Sequence, residues 1–150
     1  MGDVGYIDER GRLWFCGRKS QRVVTPLGTM FTIPCEAIFN NHPVVARSAL
    51  VGLGRHGAAE PAIVIEPKKW PSIFSRGRLL REIKSLGKRS ELTRSIEIVL
   101  FRRSFPVDTR HNAKIKRERL ARWAERRFGI RFPWIARLFG MTPSRAATQS

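Results

Sequence analysis

Cysteine and long apolar runs are both scarce in this sequence. Its two cysteines, Cys16 and Cys35, are isolated and form no C-x-x-C pair. That pattern favours reduced core residues over a disulfide bridge or a metal site. No stretch approaches the roughly 20 consecutive apolar residues of a membrane-spanning helix, and residues 1–4 show neither the basic nor the apolar region of a secretory signal. The sequence therefore predicts a cytoplasmic protein.

Acidic residues are also few. The 150 residues include 12 Asp and Glu against 29 Lys and Arg, which gives a formal net charge of +17. Residues 1–70 carry nine basic and six acidic residues, whereas residues 71–150 carry twenty and six. So basic a segment suits an anionic partner such as nucleic acid, an anionic membrane surface or a phosphorylated ligand. Because no zinc-finger or RNA-recognition motif accompanies the charge, a stand-alone nucleic-acid-binding module is only an alternative interpretation.

Apolar periodicity indicates one α+β domain. The hydrophobic content of 42% is typical of globular proteins. Alternating or β-branched runs predict strands at residues 6–7, 13–15, 23–25, 30–33, 44–53, 62–65 and 96–101. Helical spacing predicts a helix from Pro34, a second over 71–88 and a third from Ile115 onward. We expect a small mixed sheet with packed helices, in which 44–53 and 62–65 are central strands.

The first 18 residues form a predicted hairpin with a charged residue at each end. Gly11 suits the positive φ of a tight turn between the two short strands. Asp3 precedes the hairpin and Arg18 follows it. Because an antiparallel pair brings its ends together, the carboxylate and the guanidinium could converge on one ligand. The residues alone favour a plainer interpretation, a surface hairpin with two ordinary charges at its base.

A second group of polar residues lies in the segment FPVDTRHNAKI, residues 105–115. It follows a predicted strand, begins with a proline turn and opens the third predicted helix, for which Asn112 is the expected N-cap. Lys114 stands near the end of the segment. Taken alone, this residue is an ordinary surface lysine near a helix start, where the helix dipole slightly disfavours a cation.

The hairpin residues resemble a known family motif. The pattern GDxGYxDxxGxLxFxGR over residues 2–18 resembles the junction motif of the acyl-adenylate-forming superfamily, which contains acyl-CoA synthetases, peptide-synthetase adenylation domains and firefly luciferases. The resemblance implies that Asp3 and Arg18 hold the ribose hydroxyls of ATP, a task that suits a carboxylate acceptor and a guanidinium donor. It also implies a hinge two residues beyond the arginine, at Ser20, with Lys19 as the alternative.

Two further segments extend the resemblance. Gly28, Ile33, Pro34 and Glu36 are similar to the family segment G-x-x-I-x-P-x-E-I, with small differences in spacing. Lys114 takes the place of the lysine in P-x-T-x-x-G-K-[IV], which in the family contacts the substrate carboxylate and the α-phosphate. Here alanine precedes that lysine, and the string FPVDxRHNAKI together with FCGRKS earlier in the chain resembles one branch. That branch is the β-lactone synthetase of bacterial long-chain olefin biosynthesis.

The resemblance implies a ligase that uses ATP, releases AMP and activates a fatty or β-hydroxy fatty acid as an acyl-adenylate. In that branch the 3-hydroxyl of the substrate then closes on the activated carbonyl to give a β-lactone, without coenzyme A. A fatty acyl-CoA ligase, which uses coenzyme A in the second step, is the alternative. Mg²⁺ is expected to be bound mainly by an N-terminal adenylation domain, and no metal ligands are expected in this chain.

The same resemblance divides the chain into three parts. Residues 1–18 are the terminal hairpin of an N-terminal adenylation domain that the chain lacks, residues 19–128 are a C-terminal lid domain, and residues 129–150 are a basic aromatic tail, partly disordered. Such a C-terminal fragment is expected to be inactive alone. Aromatic residues alternate with arginines over 128–139, and this mixture suits either peripheral contact with an anionic membrane or packing back on the domain.

Overall fold

The computed structural model describes residues 2–111 and 114–131 of the chain. It begins with a hairpin of β1 (Asp3–Ile7) and β2 (Leu13–Arg18), a 3-10 turn at Lys19–Gln21, and a second hairpin of β3 (Val23–Thr25) and β4 (Gly28–Met30). The following elements are α1 (Thr32–Asn40), β5 (Val45–Leu53), β6 (Glu60–Pro67), α2 (Ile73–Lys88), β7 (Ile98–Phe101), β8 (Val107–Asp108), β9 (Lys114–Ile115) and α3 (Arg117–Arg131).

A three-stranded mixed sheet, ordered β5-β6-β7, forms the centre of the fold. β6 pairs antiparallel with β5, which places Leu50 opposite Ile63, and it pairs parallel with β7. The expectation that 44–53 and 62–65 are both central strands is confirmed for β6 and wrong for β5, which lies at the edge of this sheet. β5 has the apolar composition of a central strand because helices cover both of its faces.

Helices pack on both faces of this sheet. On one face, Phe39 of α1 and Ile83 of α2 join Leu50 and Ile63 in a buried cluster. On the other face, the buried side chains come from α3 and from the alternate residues of the same strands: Ala49, Val51, Ala62, Val64, Leu120 and Ala124. The period-two alternation of strand side chains therefore supplies both layers. This arrangement confirms the predicted α+β class, a small mixed sheet with packed helices.

The first helix begins two residues earlier than predicted. α1 starts at Thr32 rather than Pro34, so the strand expected over 30–33 ends at Met30 instead. Pro34 is therefore the third residue of the helix. Its missing N–H has no consequence there, because the N–H groups of the first turn find no partner inside the helix. Thr32 and Ile33 therefore belong to the first turn of the helix, although their β-branched side chains favour a strand.

The second helix begins slightly later than predicted, behind a capping serine. α2 starts at Ile73, and the hydroxyl of Ser72 accepts a hydrogen bond from Ser75 N at 3.2 Å. Leu79 and Ile83 are buried as their spacing predicts. Ile73 has the same helical spacing, but it is 86% exposed. The buried side chains of α2 begin only at Leu79, in its second turn.

The third helix begins at Arg117, later than the predicted start at Ile115. Residues 114–115 instead form β9, which pairs antiparallel with β8. The polar segment thus forms a short two-stranded ribbon before the helix starts. Helical spacing of apolar residues does not predict this pairing. The expected N-cap, Asn112, lies outside the described residues.

Both cysteines are buried and free. Burial, followed by the neighbouring carboxylate of Glu36, raises the pKa of the Cys35 thiol to about 11. Within residues 2–111 and 114–131, none of the helices combines the length and the apolar character needed to cross a bilayer. Most of the stretch 128–139, for which membrane contact was one of two interpretations, lies outside the described residues.

Candidate functional site

One carboxylate holds the turn of the first hairpin. Asp8 accepts hydrogen bonds from the backbone N–H of Arg10 at 3.0 Å and of Arg12 at 2.9 Å. It also accepts from Arg12 Nε at 2.8 Å and from Trp14 Nε1 at 2.9 Å. Gly11 takes a φ of 72°, the positive value expected for the tight turn. These bonds, the one from Trp14 most of all, lower the pKa of Asp8 and keep the two strands in register.

The base of the hairpin brings two predicted site residues together. Asp3 lies directly opposite Arg18 in the strand register. The backbone then turns back on the hairpin, and Lys19 N donates to the carbonyl of Gly2 at 2.7 Å. Gly17 is required here, because its φ is 113° and an added Cβ would come within 2.8 Å of a side-chain oxygen of α1. The predicted meeting of the hairpin ends is confirmed.

Two cavities with shared walls open at this base. One has a volume of about 910 Å³ and includes Asp3, Lys19 and Ser20 in its lining. The other, of about 700 Å³, shares Arg18 and Ser20 with the first and extends to Lys114. We call the two cavities together the basic groove, after the basic side chains in its walls: Arg18, Lys19, Arg22, His56, Lys114, Lys116, Arg117 and Arg119.

The basic groove gathers every residue that the sequence singles out as a site residue. Asp3, Arg18 and both hinge positions lie along one part of it, and Lys114 lies along the other. Basic side chains outnumber acidic ones in its walls, so the local field favours an anion. Guanidinium and ammonium groups are the donors that phosphate oxygens accept most strongly. The groove is therefore suited to a phosphorylated ligand.

A second carboxylate shapes the loop that carries Lys114. Asp108 accepts a hydrogen bond from Arg110 N at 3.0 Å and contacts His111 Nδ1 at 3.1 Å. The Arg110 bond lowers the pKa of Asp108 most, and the charges of Lys116 and Lys114 lower it further. Asp108 is also the cross-strand partner of Lys114 in the β8–β9 ribbon. Sequence reasoning assigned this residue no role, although an Asp that bonds the N–H two residues on is a recognisable turn signal.

Two glutamates anchor this loop and the following helix to the sheet. Glu66 on β6 accepts a hydrogen bond from Phe105 N at 2.6 Å, where the loop begins, and forms an ion pair with Arg47. Glu36 on α1 forms a bidentate ion pair with Arg117 at the start of α3. The sequence placed Glu36 in a family segment but not its partner, because 81 positions separate the two residues.

The described residues supply no metal site. Among residues 2–111 and 114–131, no group of three or more His, Cys, Asp or Glu side chains lies close enough together to hold a metal ion. The acidic side chains of the groove are instead involved in turns or are dispersed along its walls. The donor set in the groove fits the phosphates and hydroxyls of a nucleotide better than a divalent cation.

Known proteins resemble this chain in sequence and in fold, although no protein-family model matches it. An olefin β-lactone synthetase of Xanthomonas campestris pv. campestris is 46% identical over 124 residues, which are 83% of this chain and 22% of the relative. A Stenotrophomonas maltophilia protein of the same name is 45% identical with the same coverage. The chain thus spans about a fifth of the length of the curated relatives it matches.

The fold likeness agrees with the sequence likeness. The anthranilate CoA ligase AuaEII, solved with anthranoyl-AMP, superimposes with a TM-score of 0.66 at 22% identity, over 83% of this chain and 24% of that one. In sequence and fold, the chain is similar to the C-terminal part of adenylate-forming ligases. Within that class its sequence is similar to the olefin β-lactone synthetases. The resemblance inferred from the hairpin and the lysine loop is confirmed.

Proposed function

We propose that this chain serves as the lid domain of an ATP-dependent, AMP-forming ligase. Its substrate is a fatty or β-hydroxy fatty acid, which it activates as an acyl-adenylate and closes to a β-lactone. The observation that carries the proposal is the basic groove, where Arg18 and Lys114 line one cavity although they lie far apart in the sequence. The names of the curated relatives support the product.

Asp3 and Arg18 are assigned to the ribose of ATP. They are cross-strand neighbours and line the same cavity. A carboxylate can accept hydrogen bonds from two vicinal hydroxyls, and a guanidinium can donate to the oxygens beside them. Arg22 and Arg119, also in the walls of the groove, supply positive charge for the phosphates. Mg²⁺ is assigned to the N-terminal adenylation domain, since the described residues hold no metal cluster.

Lys114 is assigned to the reacting groups. A carboxylate oxygen of the fatty acid attacks the α-phosphorus of ATP, the bond to pyrophosphate breaks, and an acyl-adenylate forms. An ammonium group on a flexible stem can follow the negative charge that develops on these oxygens. The β8–β9 ribbon fixes the backbone of Lys114 while its side chain stays exposed toward the groove.

The second step distinguishes the proposed product from its alternative. In the β-lactone route the 3-hydroxyl oxygen attacks the acyl carbon, its proton passes to solvent, and AMP leaves with the electrons of the broken acyl–oxygen bond. In the alternative, a fatty acyl-CoA ligase, the thiol of coenzyme A makes that attack. Both routes use the same groove residues, and the names of the curated relatives support the β-lactone route.

The hinge is assigned to Ser20, with Lys19 as the alternative. Both lie in the 3-10 turn that joins the first hairpin to β3, between residues 1–18 and the proposed lid domain of residues 19–128. Residues 129–150 are then a basic tail beyond the lid. A short turn between two structured units is where a few backbone angles can absorb a domain rotation.

The hairpin itself presents a surface suited to the N-terminal adenylation domain. Five large apolar side chains are exposed along β1 and β2 to between 47% and 76%: Tyr6, Ile7, Leu13, Trp14 and Phe15. Because strand side chains alternate, Tyr6 and Trp14 lie on one face of the hairpin and Ile7, Leu13 and Phe15 lie on the other. So much exposed apolar surface is typical of a protein contact rather than of a free surface. We assign its partner to the part of the relatives that this chain does not span.

A chimera tests the assignment of Lys114. This chain would replace the corresponding part of the Xanthomonas campestris relative, and pyrophosphate release would be measured with ATP and a β-hydroxy fatty acid. Lys114→Ala should lower the rate at least a hundredfold, about 3 kcal/mol of lost transition-state stabilisation. Lys84→Ala is the matched control, because this lysine is exposed on α2 and lies outside the groove. An unchanged rate in the Lys114 variant would remove it from the site.

Two further measurements separate the remaining parts of the proposal. Mass spectrometry of the chimera's products should find a β-lactone without coenzyme A, whereas product that forms only with coenzyme A would favour the acyl-CoA ligase. The 150-residue chain alone should release no pyrophosphate, because the groove supplies only part of a nucleotide site. Turnover by the chain alone would contradict its assignment as a lid.

A further inference from the structure

The first turn of α2 exposes two adjacent large apolar side chains. Ile73 is 86% exposed and Phe74 is 95% exposed, although the rest of the helix packs on the sheet. Single exposed apolar residues are ordinary on protein surfaces. Two adjacent apolar side chains at almost full exposure are less common. Each leaves a large apolar area in water without contacting the domain.

Two arginines stack on the ring of Trp70, which lies three residues before Ile73. The indole ring of Trp70 contacts the guanidinium of Arg76 at 5.0 Å and that of Arg103 at 4.7 Å, measured to the ring centroid. Within the described part of the chain, no carboxylate pairs with either arginine. Residues 68–81 contain five basic residues and no acidic one. Arg78 pairs with Glu82 just beyond this stretch, so the charges left without a carboxylate are those of Arg76 and Arg103 on Trp70.

This surface lies apart from the basic groove. The groove is lined by the base of the first hairpin, by parts of β3 and β5, and by the β8–β9 ribbon with the start of α3. No residue of α2 lines it. The apolar pair and its arginines are consequently not explained by nucleotide binding, and they are available to a separate partner.

We propose that Trp70, Ile73, Phe74, Arg76 and Arg103, here called the α2 patch, bind the surface of a bilayer that contains anionic lipids. The side chains of Ile73 and Phe74 would enter the boundary between headgroups and acyl chains, as the apolar residues of interfacial helices do. The arginines would contact lipid phosphates, and Trp70 has the amphipathic ring that favours the interface. Charge complementarity selects this partner, because an apolar protein surface would not require the uncompensated cations.

Vesicle co-sedimentation of the full 150-residue chain tests the proposal. The vesicles are phosphatidylcholine alone, or phosphatidylcholine with phosphatidylglycerol. The unaltered chain should bind the anionic vesicles and bind the neutral ones at least tenfold more weakly. Ile73→Ser with Phe74→Ser should lower the partition coefficient for anionic vesicles at least tenfold, because apolar area no longer enters the bilayer. Arg103→Gln should lower it about fivefold, the effect expected for one basic residue near an anionic surface.

Matched variants separate the α2 patch from general surface properties. Leu27 is 87% exposed in the β3–β4 turn, so Leu27→Ser removes a similar apolar side chain elsewhere and should leave binding unchanged. Arg10→Gln removes one positive charge from the first hairpin and should also leave binding unchanged. All variants keep residues 132–150, so a contribution from that segment is equal in each.

Several results would overturn the proposal. One is no binding of the unaltered chain to anionic vesicles, and another is equal binding to neutral vesicles. Retained binding in the Ile73→Ser, Phe74→Ser double variant would place the contact elsewhere, including in the tail. Self-association that this double variant abolishes, without any vesicle binding, would assign the α2 patch to a second copy of the chain instead.

Discussion

Glu36 and Arg117 form an ion pair between α1, β5 and α3. Arg117 donates to the two carboxylate oxygens at 2.5 and 3.0 Å, and Leu50 N donates to the same carboxylate at 2.8 Å. The side chains of Glu36 and Arg117 are only 10% and 18% exposed. A charge in such surroundings depends on its partner, because burial penalises an isolated ion. Since Arg117 closely follows Lys114, the pair also determines where the lysine loop meets the domain.

Glu36→Gln should lower the free energy of unfolding by about 3 kcal/mol, the lower end expected when one partner of a buried pair is removed. The cause is the guanidinium of Arg117, which keeps its charge but loses its carboxylate. Urea unfolding followed by circular dichroism measures the change. Glu91→Gln is the control, because the Glu91 side chain is 90% exposed in its ion pair with Arg94. This variant should lower the free energy of unfolding by less than about 1 kcal/mol. Equal losses of unfolding free energy in the two variants would contradict the burial of the Glu36–Arg117 pair.

Asp8 makes the hairpin turn sensitive to acid. Its pKa lies below the ordinary value of 3.8, because Trp14 Nε1 and the backbone of Arg12 donate hydrogen bonds to the carboxylate. A lowered carboxyl pKa stabilises the folded hairpin above pH 3.8, and this contribution is lost as the pH falls through the folded pKa. The NMR signal of the Trp14 indole N–H should therefore shift with a midpoint below pH 3.8. The transition should disappear in Asp8→Asn, and a midpoint at or above the ordinary value would show that the bonds do not form.

At the scale of elements, α2 contains two glycines in opposite surroundings. Gly77 is exposed, and an added Cβ would meet only Arg81 Nη1, at 3.9 Å. Gly87 is buried, and an added Cβ would lie 3.1 Å from Phe39 Cζ. Phe39 is 1% exposed and enclosed by the core, so it cannot move aside without cost. The helix tolerates a side chain at one position and excludes it at the other.

Alanine at these two positions should act in opposite directions. Gly77→Ala should raise the free energy of unfolding by about 0.5–1 kcal/mol, because alanine loses less backbone entropy in a helix. Gly87→Ala should lower it by about 1–3 kcal/mol, because the new methyl group overpacks against Phe39. Thermal unfolding by circular dichroism compares them, each serving as the other's control. A stabilised Gly87 variant would mean that α2 sits farther from α1 than described.

At the scale of the whole molecule, β6 joins the two hydrophobic layers. Its residues Ile63 and Ile65 pack toward α1 and α2, while Ala62 and Val64 pack toward α3. All four side chains are fully buried. Because one strand supplies both layers, loss of either layer exposes the strand on which the other depends, so we expect the domain to unfold as one unit.

A core substitution on either face should therefore destabilise the same cooperative transition. Ile83→Ala in one layer and Leu120→Ala in the other should each lower the free energy of unfolding by about 2–5 kcal/mol, because both side chains are 0% exposed. Urea unfolding should give coincident curves by circular dichroism and by tryptophan fluorescence. Leu92→Ala, at a side chain that is 53% exposed, should change little. A separate early transition in the Leu120 variant would show that α3 unfolds independently.

Local pattern was sufficient for much of this protein. The first hairpin, its Gly11 turn and the meeting of Asp3 with Arg18 followed from nearby residues, because a hairpin pairs residues that are close in the sequence. The spacing of apolar residues likewise predicted most of α2 and the buried strand β6. The motif around Lys114 indicated the family, which the relatives confirm.

Tertiary packing decided the rest. Periodicity reports that a face is buried but not what lies against it, so β5 was expected at the centre of the sheet and lies at its edge. The Glu36–Arg117 pair, the common cavity of Arg18 and Lys114, and the stacking of Arg103 on Trp70 each join distant parts of the chain. Sequence by itself determined the local elements and the residues capable of chemistry, whereas only the folded chain brought those residues together, because long-range contacts arise from the packing of several elements at once.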